Sequence, residues 1–289
     1  MPETYGAHEC KVYYVQESTY GQTPSNPSMY QAPVDNVEAG IDPSLILVRG
    51  TGSRDVTFAA KGVRKPTLKL GHLLPSSDAI NLIRYAVTLN SLSVQVLYYK
   101  GSFASPTDVI SLLYKGMRID KLTVECSIEE PVKATVEMIG QDVATGTSKI
   151  SGATYSDYAP SVVAFSDSFV QRGTAGGLNL TDVLRVTDWK FTIENNLKPV
   201  PVIRSSSAYL LKYLRERHRE LTGELTFEFE DKTEFDDVIN DSQFSLKFGL
   251  GGYSALFTYC RWQNVSIPTK IEDLISLKAR FVAQGVSMS

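Results

Sequence analysis

The chain has 289 residues, a formal net charge of −3, 43% hydrophobic residues and 21% charged residues. That length and apolar content suit about two domains of ~150 residues with real cores, while the mildly acidic balance excludes a surface built to grip nucleic acid. Three well-separated cysteines, Cys10, Cys126 and Cys260, exclude a disulfide framework and point to a reducing compartment. No apolar run approaches the ~18 residues of a membrane-crossing helix. The opening MPETYGAHEC has neither the basic start nor the apolar stretch of a secretion signal, so a soluble product of the cytoplasm is expected.

In chain order, residues 1–30 contain TYGQTPSNPSMY, rich in proline, asparagine and serine, and read as an extended arm and not a core strand. VDNVEAGIDPSLILVRG (34–50) follows as a strand with a long connection. The segment 51–65, TGSRDVTFAAKGVRK, is a basic excursion that reads as a protruding hairpin. PTLKL (66–70) alternates as a strand. SSDAINLIRYAV (76–87) reads as a helix, capped by Ser76 or Ser77, with Ile80, Ile83 and Val87 on one face. Two strands, SLSVQVLYYKG and DVISLLYKG, come next. Then LTVECSIEEPVKATVEMIGQDV (122–143) carries two period-two sets, Leu122, Val124, Cys126 and Ile128, then Val132, Ala134, Val136 and Met138. The acidic break at Glu129, Glu130 and Pro131 reads as a turn or bulge.

A soft stretch rich in Gly, Ser, Thr and Ala (144–160) marks a boundary, and QRGTAGGLN (171–179) reads as a loop or arm. The order then recurs: TDWKFTIENNLKPVPVIR (187–204), a locally basic segment SSSAYLLKYLRERHRE (205–220), a strand GELTFEF (223–229) and a helix with Thr233 as cap and Phe235, Val238 and Ile239 on its apolar face. The strands FSLKFGL and SALFTYCRW follow, and finally VSIPTKIEDLISLKARFVAQGV (265–286). This last segment aligns with 122–143 without a gap at an offset of 143 positions. Ile128 meets Ile271, Glu129 meets Glu272, Gln141 meets Gln284 and Val143 meets Val286. Upstream the offset drifts while the order holds. The expected organisation is an arm (1–30), a first β domain (31–146), a linker (147–180) and a second β domain (181–289). The fold class is mainly β (α+β): two tandem antiparallel β-sandwich or barrel domains, each with one flanking helix, related by internal duplication.

No catalytic residue, metal ligand set or cofactor is expected. His8, His72 and His218 are scattered, and HExxH, paired CxxC and GxSxG motifs are absent. The groups GTGSRD, GTAGGLN and GLGGY read as turns, and the N-x-[ST] patterns at Asn179 and Asn264 carry no weight in a cytoplasmic product. One pattern stands out. In GELTFEFEDKTEFDD, Leu225, Phe227 and Phe229 point one way while Glu224, Thr226, Glu228 and Glu230 point the other. Such a row is either an ordinary solvated face or an acidic wall along which a polyanion slides without sticking.

The segments QESTYGQTP (16–24), RGTGSRD (49–55), EEPVKATVEMIGQDV, ENNLKP and GELTFEFED, in that order, resemble the tail tube proteins of tailed bacterial and archaeal viruses. The resemblance spans nearly the whole chain. It implies a structural, non-enzymatic virion protein of the tail, made in the host cytoplasm and assembled with copies of itself into stacked rings around a channel for genome ejection. It implies contacts with a tape measure, terminator and baseplate, passage of viral DNA without specific binding, and no membrane. On this resemblance Glu224, Glu228 and Glu230 would face the lumen. Arg54, Lys61, Arg64, Lys65, Lys212, Arg215, Arg217 and Arg219 would lie on ring-to-ring loops, and Glu17, Tyr20 and Pro24 on an arm touching a neighbouring subunit. If each half is one tube domain, three chains close a pseudo-hexameric ring; the alternative is a homohexamer. A ring-forming terminator or baseplate protein, or a tandem β-sandwich binding module, are the rival readings.

Overall fold

The computed structural model describes residues 4–73, 80–158, 162–207, 209–269 and 274–289. The first half contributes β1 (Cys10–Gln16), β2 (Ser28–Ala32), β3 (Val34–Asp42), β4 (Ile46–Val48), β5 (Phe58–Ala60), β6 (Lys65–Leu73), the helix α1 (Ile80–Thr88), β7 (Leu92–Gly101), β8 (Pro106–Ser127), β9 (Lys133–Ile139) and β10 (Asp142–Gly146). After β11 (Thr154–Ser156) come β12 (Val170–Thr174), β13 (Thr181–Asp182), β14 (Val186–Glu194), β15 (Lys198–Val200), β16 (Tyr213–Arg215), β17 (Glu220–Glu228), the helix α2 (Thr233–Ile239), β18 (Phe244–Gly249), β19 (Ser254–Ser266), β20 (Ser276–Val282) and β21 (Gly285–Met288). The protein is mainly β, as its alternating pattern requires.

The two halves pair their strands in the same way. The first makes β1–β2, β1–β7, β3–β6, β4–β5, β6–β9, β7–β8, β8–β9 and β8–β10. The second makes β12–β13, β12–β18, β14–β17, β15–β16, β17–β20, β18–β19, β19–β20 and β19–β21. Irregularities recur too. Register shifts at Val34/Asn36, Leu92/Val94 and Ile119/Lys121 return at Val186/Asp188, Phe244/Leu246 and Trp262/Asn264. Left-handed residues return as well: Gly21 as Asn179, Ser44 as Asn196, Leu89 as Asp241 and Gly116 as Tyr259. Bulges and left-handed residues each carry a local cost, so a shared set marks a shared backbone path.

One long strand organises each half, β8 in the first and β19 in the second. The front of β8 pairs with β7 and β10, while its rear pairs with β9; β19 does the same with β18, β21 and β20. Each half is therefore a sandwich whose sheets share a bent strand. The rear of β8 also pairs with β14, from Lys121 opposite Glu194 to Ser127 opposite Asp188. The result is one eight-stranded sheet across both halves, in the order β3-β6-β9-β8-β14-β17-β20-β19. Its inner face joins one continuous core.

The cores differ in chemistry. The first half uses Leu68, Val96, Met138 and Val37 where the second has Gly223, Phe248, Phe281 and Trp189. Gly223 lies directly opposite Phe281, and a side chain there would collide with the Phe281 ring. Phe191, Phe248, Phe257 and Trp189 then form a linked aromatic set, with Phe191 and Phe257 centroids 5.1 Å apart.

Several expectations change. Residues 10–16, assigned to the arm, form a core strand. Val12 and Tyr14 face the main core, while Tyr13 faces a second cluster with Met29, Leu97 and Val109. With both faces buried, the stretch VYYV shows no alternation, which hid it. Residues 170–174, assigned to the linker, pair with β18. The soft stretch 144–160 is not bare: Ile150, Ala153 and Tyr155 cover that second cluster, and β11 pairs parallel with β2. The basic segment 205–220 carries β16, the second strand of a hairpin with β15. Ser76 and Ser77 lie outside the described residues, as do Ile271, Glu272 and Asp273 of the repeat. In α2, Val238 and Ile239 are exposed and Glu234 is buried instead. Its inner face is held by Arg185 to Glu234 at 2.6 Å, Arg172 to Asp237 at 2.6 Å and the Trp262 indole N–H to Asp237 at 3.1 Å.

Glu17 explains the start of the fold. It is buried, and its carboxylate accepts from the Gly21 N–H, the Ser93 hydroxyl and the Gly116 N–H, each at 2.8 Å. It thereby satisfies the bulge amide of β8; the corresponding Tyr259 N–H donates to the Ala175 carbonyl. Glu17→Ala should strand these donors and cost about 2–4 kcal/mol, read as a lower denaturation midpoint.

Asp157 anchors the linker to β1, accepting from the Tyr13 hydroxyl at 2.7 Å and from Lys11 at 3.0 Å. The Tyr13 hydrogen bond first, then Lys11, holds its carboxyl below the usual 3.8. Its folded form titrates lower than its unfolded form, so its contribution is complete above the unfolded value and drains away as pH falls below it. Amide exchange over residues 150–157 should accelerate in that acid window in the native protein, and Asp157→Asn should abolish the pH dependence.

Candidate functional site

The polar face of the eight-stranded sheet collects the side chains that alternation sends away from the core. Register sorts them into rows. Lys133, Glu125, Lys190, Glu224 and Arg280 are successive partners across five strands. Lys190 lies 3.2 Å from Glu125 and Arg280 lies 2.9 Å from Glu224. A second row runs Thr135, Thr123, Thr192 and Thr222, with the Thr123 and Thr192 hydroxyls 3.3 Å apart. A third runs Glu38, Lys69, Glu137, Lys121 and Glu194, with ion pairs of 3.5 Å and 3.6 Å. Charges alternate along both outer rows, with a neutral hydroxyl row between.

This arrangement changes the reading of the acidic strand. Glu224 belongs to the face but is compensated by Lys190 and Arg280, so no bare acidic wall forms there. Glu228 lies exposed at the end of β17, opposite Ser276. Glu230 lies beyond the strand, beside Arg172, Thr233 and Glu234 at the foot of α2. The cross-strand cations were missed because alternation within one strand says nothing of which strand lies beside it; the pairing of β8 with β14 supplied them.

Among the described residues the sheet has two open edges, β3 and the rear of β19. At the junction inside the chain the corresponding strands, β14 and β8, are paired.

The hairpins are placed differently from one another. The β15–β16 hairpin of the second half lies on the first half. Leu197, Leu211 and Leu214 are buried with Tyr20, Val63, Leu89 and Ile139. The Gln141 amide donates to the Leu211 carbonyl at 2.8 Å, Arg118 to the Leu214 carbonyl at 3.2 Å, and the Arg64 N–H to the Tyr209 carbonyl at 2.8 Å. Lys212 and Arg215 ride on this docked hairpin, and Arg217 and Arg219 are exposed just after it. The β4–β5 hairpin leaves Ile46, Leu47, Val48 and Phe58 exposed. Arg54 and Lys61 flank its strand β5 and are exposed, Lys65 opens β6, and Arg64 pairs with Asp142 at 3.3 Å. Of the three arm residues, Glu17 is spent inside the chain, Tyr20 lies under Arg118 and in the hairpin cluster, and Pro24 is half-buried.

Burial pushes the Cys126 thiol up to about 11 and the Cys260 thiol to about 12, keeping both protonated. Among the described residues no group of three or more His, Cys, Asp or Glu is placed to hold a metal ion, and no helix is long and apolar enough to cross a membrane.

A family model described as phage tail tube protein matches residues 7–280. No curated protein matches the chain. Among solved structures, the virion of a native gene transfer agent particle aligns at 8% identity over 43% of this chain and 96% of that one, with a TM-score of 0.36. The tail of an empty gene transfer agent particle with C6 symmetry aligns at 8% identity over 43% and 96%, with a TM-score of 0.35. The six-fold symmetrised baseplate of the anti-feeding prophage aligns at 10% identity over 50% and 97%, with a TM-score of 0.40.

The exposed and buried ion pairs differ in consequence. Arg280→Ala removes a solvent-screened pair and should change stability by under about 1 kcal/mol. Arg185→Ala leaves the buried Glu234 unpaired and should cost about 3–5 kcal/mol; denaturant titration of both variants checks the contrast.

Proposed function

The chain belongs to the phage tail tube protein family, and we propose that three copies close a ring of six similar units, each half of the chain supplying one. The protein is a structural component of the virion tail. The matching pairing schemes of the two halves support reading them as two tandem tube domains that arose by internal duplication. Stacked rings then form a hollow tube, with a tape measure, terminator and baseplate as its partners and the viral genome as its cargo. Its role is architectural and involves no catalysis.

The observation that carries this reading is the pair of open edges. Inside the chain, a strand of the β8 type pairs with a strand of the β14 type. The counterparts left free are β19 at one end and β3 at the other. A sheet with one edge of each type invites head-to-tail pairing, which closes if the rotation per unit allows it. Closure also removes two long edges that would otherwise template aggregation.

The polar face is the surface such a ring would turn toward its channel. DNA sticks when several cations neutralise neighbouring phosphates and release their counterions. Alternating Lys/Arg and Glu rows never present such a run, and the threonine row between them is uncharged. A duplex can therefore pass without being held. Glu224 and Glu228 are the lumen-facing carboxylates in this reading; Glu230 is less central to it.

The double variant E224K/E228K turns the row of Lys190, position 224 and Arg280 into consecutive cations. Its tubes should still assemble, yet retain duplex DNA at low salt and release it as salt rises, whereas native tubes should retain none. Variant tubes that hold no more DNA than native ones would remove these residues from the lumen.

A further inference from the structure

We propose that the apolar β4–β5 hairpin docks on the second half of a neighbouring copy of this chain, at a patch formed by Leu178, Val238, Ile239 and Val282. This rests on the ring reading and identifies the contact that would seal each seam between chains.

Corresponding positions of the chain lie at a covered seam and at an open one. Leu197 precedes β15 as Leu45 precedes β4, and Leu211 stands two residues before β16 as Val56 stands two before β5. Inside the chain, Leu197 and Leu211 are buried against the first half. Their counterparts Leu45 and Val56 are 57% and 41% exposed. The receiving side shows the same contrast. Ala86 of α1 is fully buried, and the Asn195 side-chain amide donates to its carbonyl at 3.0 Å. The corresponding Val238 is exposed, and the next residue, Ile239, is 78% exposed. Tyr20 and Ile139, both in the hairpin cluster, correspond to Leu178 and Val282, which are 70% and 39% exposed.

Leu45, Val56, Leu178, Val238 and Val282 are bare at the chain's two ends where their counterparts are covered at the internal seam, yet all five remain apolar, whereas Leu89 of the covered cluster gives way to Asp241. Exposed Ile, Leu and Val in complementary places mark an interface and not a solvated surface. A polar group is preserved as well. The Gln141 amide that binds the Leu211 carbonyl has Gln284 as its counterpart. Both glutamine backbone N–H groups donate to the equivalent carbonyl, of Lys115 and of Thr258. The Gln284 amide is thus placed to bind the Val56 carbonyl of the neighbour.

The open seam also differs from the internal one. Arg118 pairs with Glu216 at 3.5 Å inside the chain, whereas the counterparts are Arg261 and Lys61, which repel; Arg261 instead pairs with its own Asp241 at 3.3 Å. The seam between chains therefore relies on apolar contact. It also places the β4–β5 hairpin beside its neighbour around the ring and not between rings.

Two single variants, V56C and Q284C, test the contact. The native Cys126 and Cys260 are buried and Cys10 is partly so. Co-assembled and oxidised, the mixture should yield a covalent dimer that neither variant yields alone. Assembled rings, seen by electron microscopy, that give no mixed dimer would overturn the hairpin contact and leave the ring intact. A protein that never self-associates would overturn both. Independently, I239D should keep the native melting temperature and far-ultraviolet spectrum, because the side chain is exposed, while abolishing ring closure. Normal rings from I239D would overturn the docking patch.

Discussion

Everything in this protein depends on the backbone pairing between β8 and β14. Seven consecutive residue pairs, from Lys121 with Glu194 to Ser127 with Asp188, convert two four-stranded sheets into one. Without that pairing each half would present an open strand on each side of its sheet. With it, one junction is satisfied inside the chain and the same kind of junction is left open at the two ends. A buried or unpaired backbone edge is costly or sticky. The covalent link between the halves thus resolves half of the problem and leaves the rest to assembly.

Around this constraint the two halves differ in substance and not in path. The second half fills its sandwich with aromatic rings and opens space for Phe281 by placing Gly223 opposite. The first half uses smaller aliphatic groups with Leu68 and Met138 at those places. Under the helices the contrast is sharper. Tyr14, Tyr85 and Ile119 of the first half correspond to Arg172, Asp237 and Trp262, an ion pair joined by an indole hydrogen bond. Apolar packing and a fully partnered polar network can occupy the same site at similar net cost. The backbone is what stays, because bulges and left-handed residues fix the bends of β8 and β19.

The sequence revealed the second pair of β segments and their repeat because one face of those strands is solvated and the offset is constant. Gln141 and Gln284, aligned on sequence alone, make the same backbone hydrogen bond. The upstream matches were legible as order and not as register, since insertions lie in the hairpin tips and before the helices. β1 was hidden because both of its faces are buried. α2 misled because its apolar residues Val238 and Ile239 obey helical spacing while facing outward, and the inward position belongs to Glu234. Of the acidic row, Glu224 and Glu228 lie on β17, while Glu230 falls beyond its end. Its compensation by Lys190 and Arg280 is a property of neighbouring strands, which no single-strand pattern contains. The basic excursions were legible as hairpins, but the docking of β15–β16 depends on leucines spaced among the charges.

The most direct test of the account is cryo-electron microscopy of tubes assembled from the purified protein, counting chains per ring. The account predicts three chains per ring, six similar units, and a continuous sheet in which β3 of one chain pairs with β19 of the next. Rings of six chains, or an assembly in which β3 and β19 remain unpaired, would contradict it.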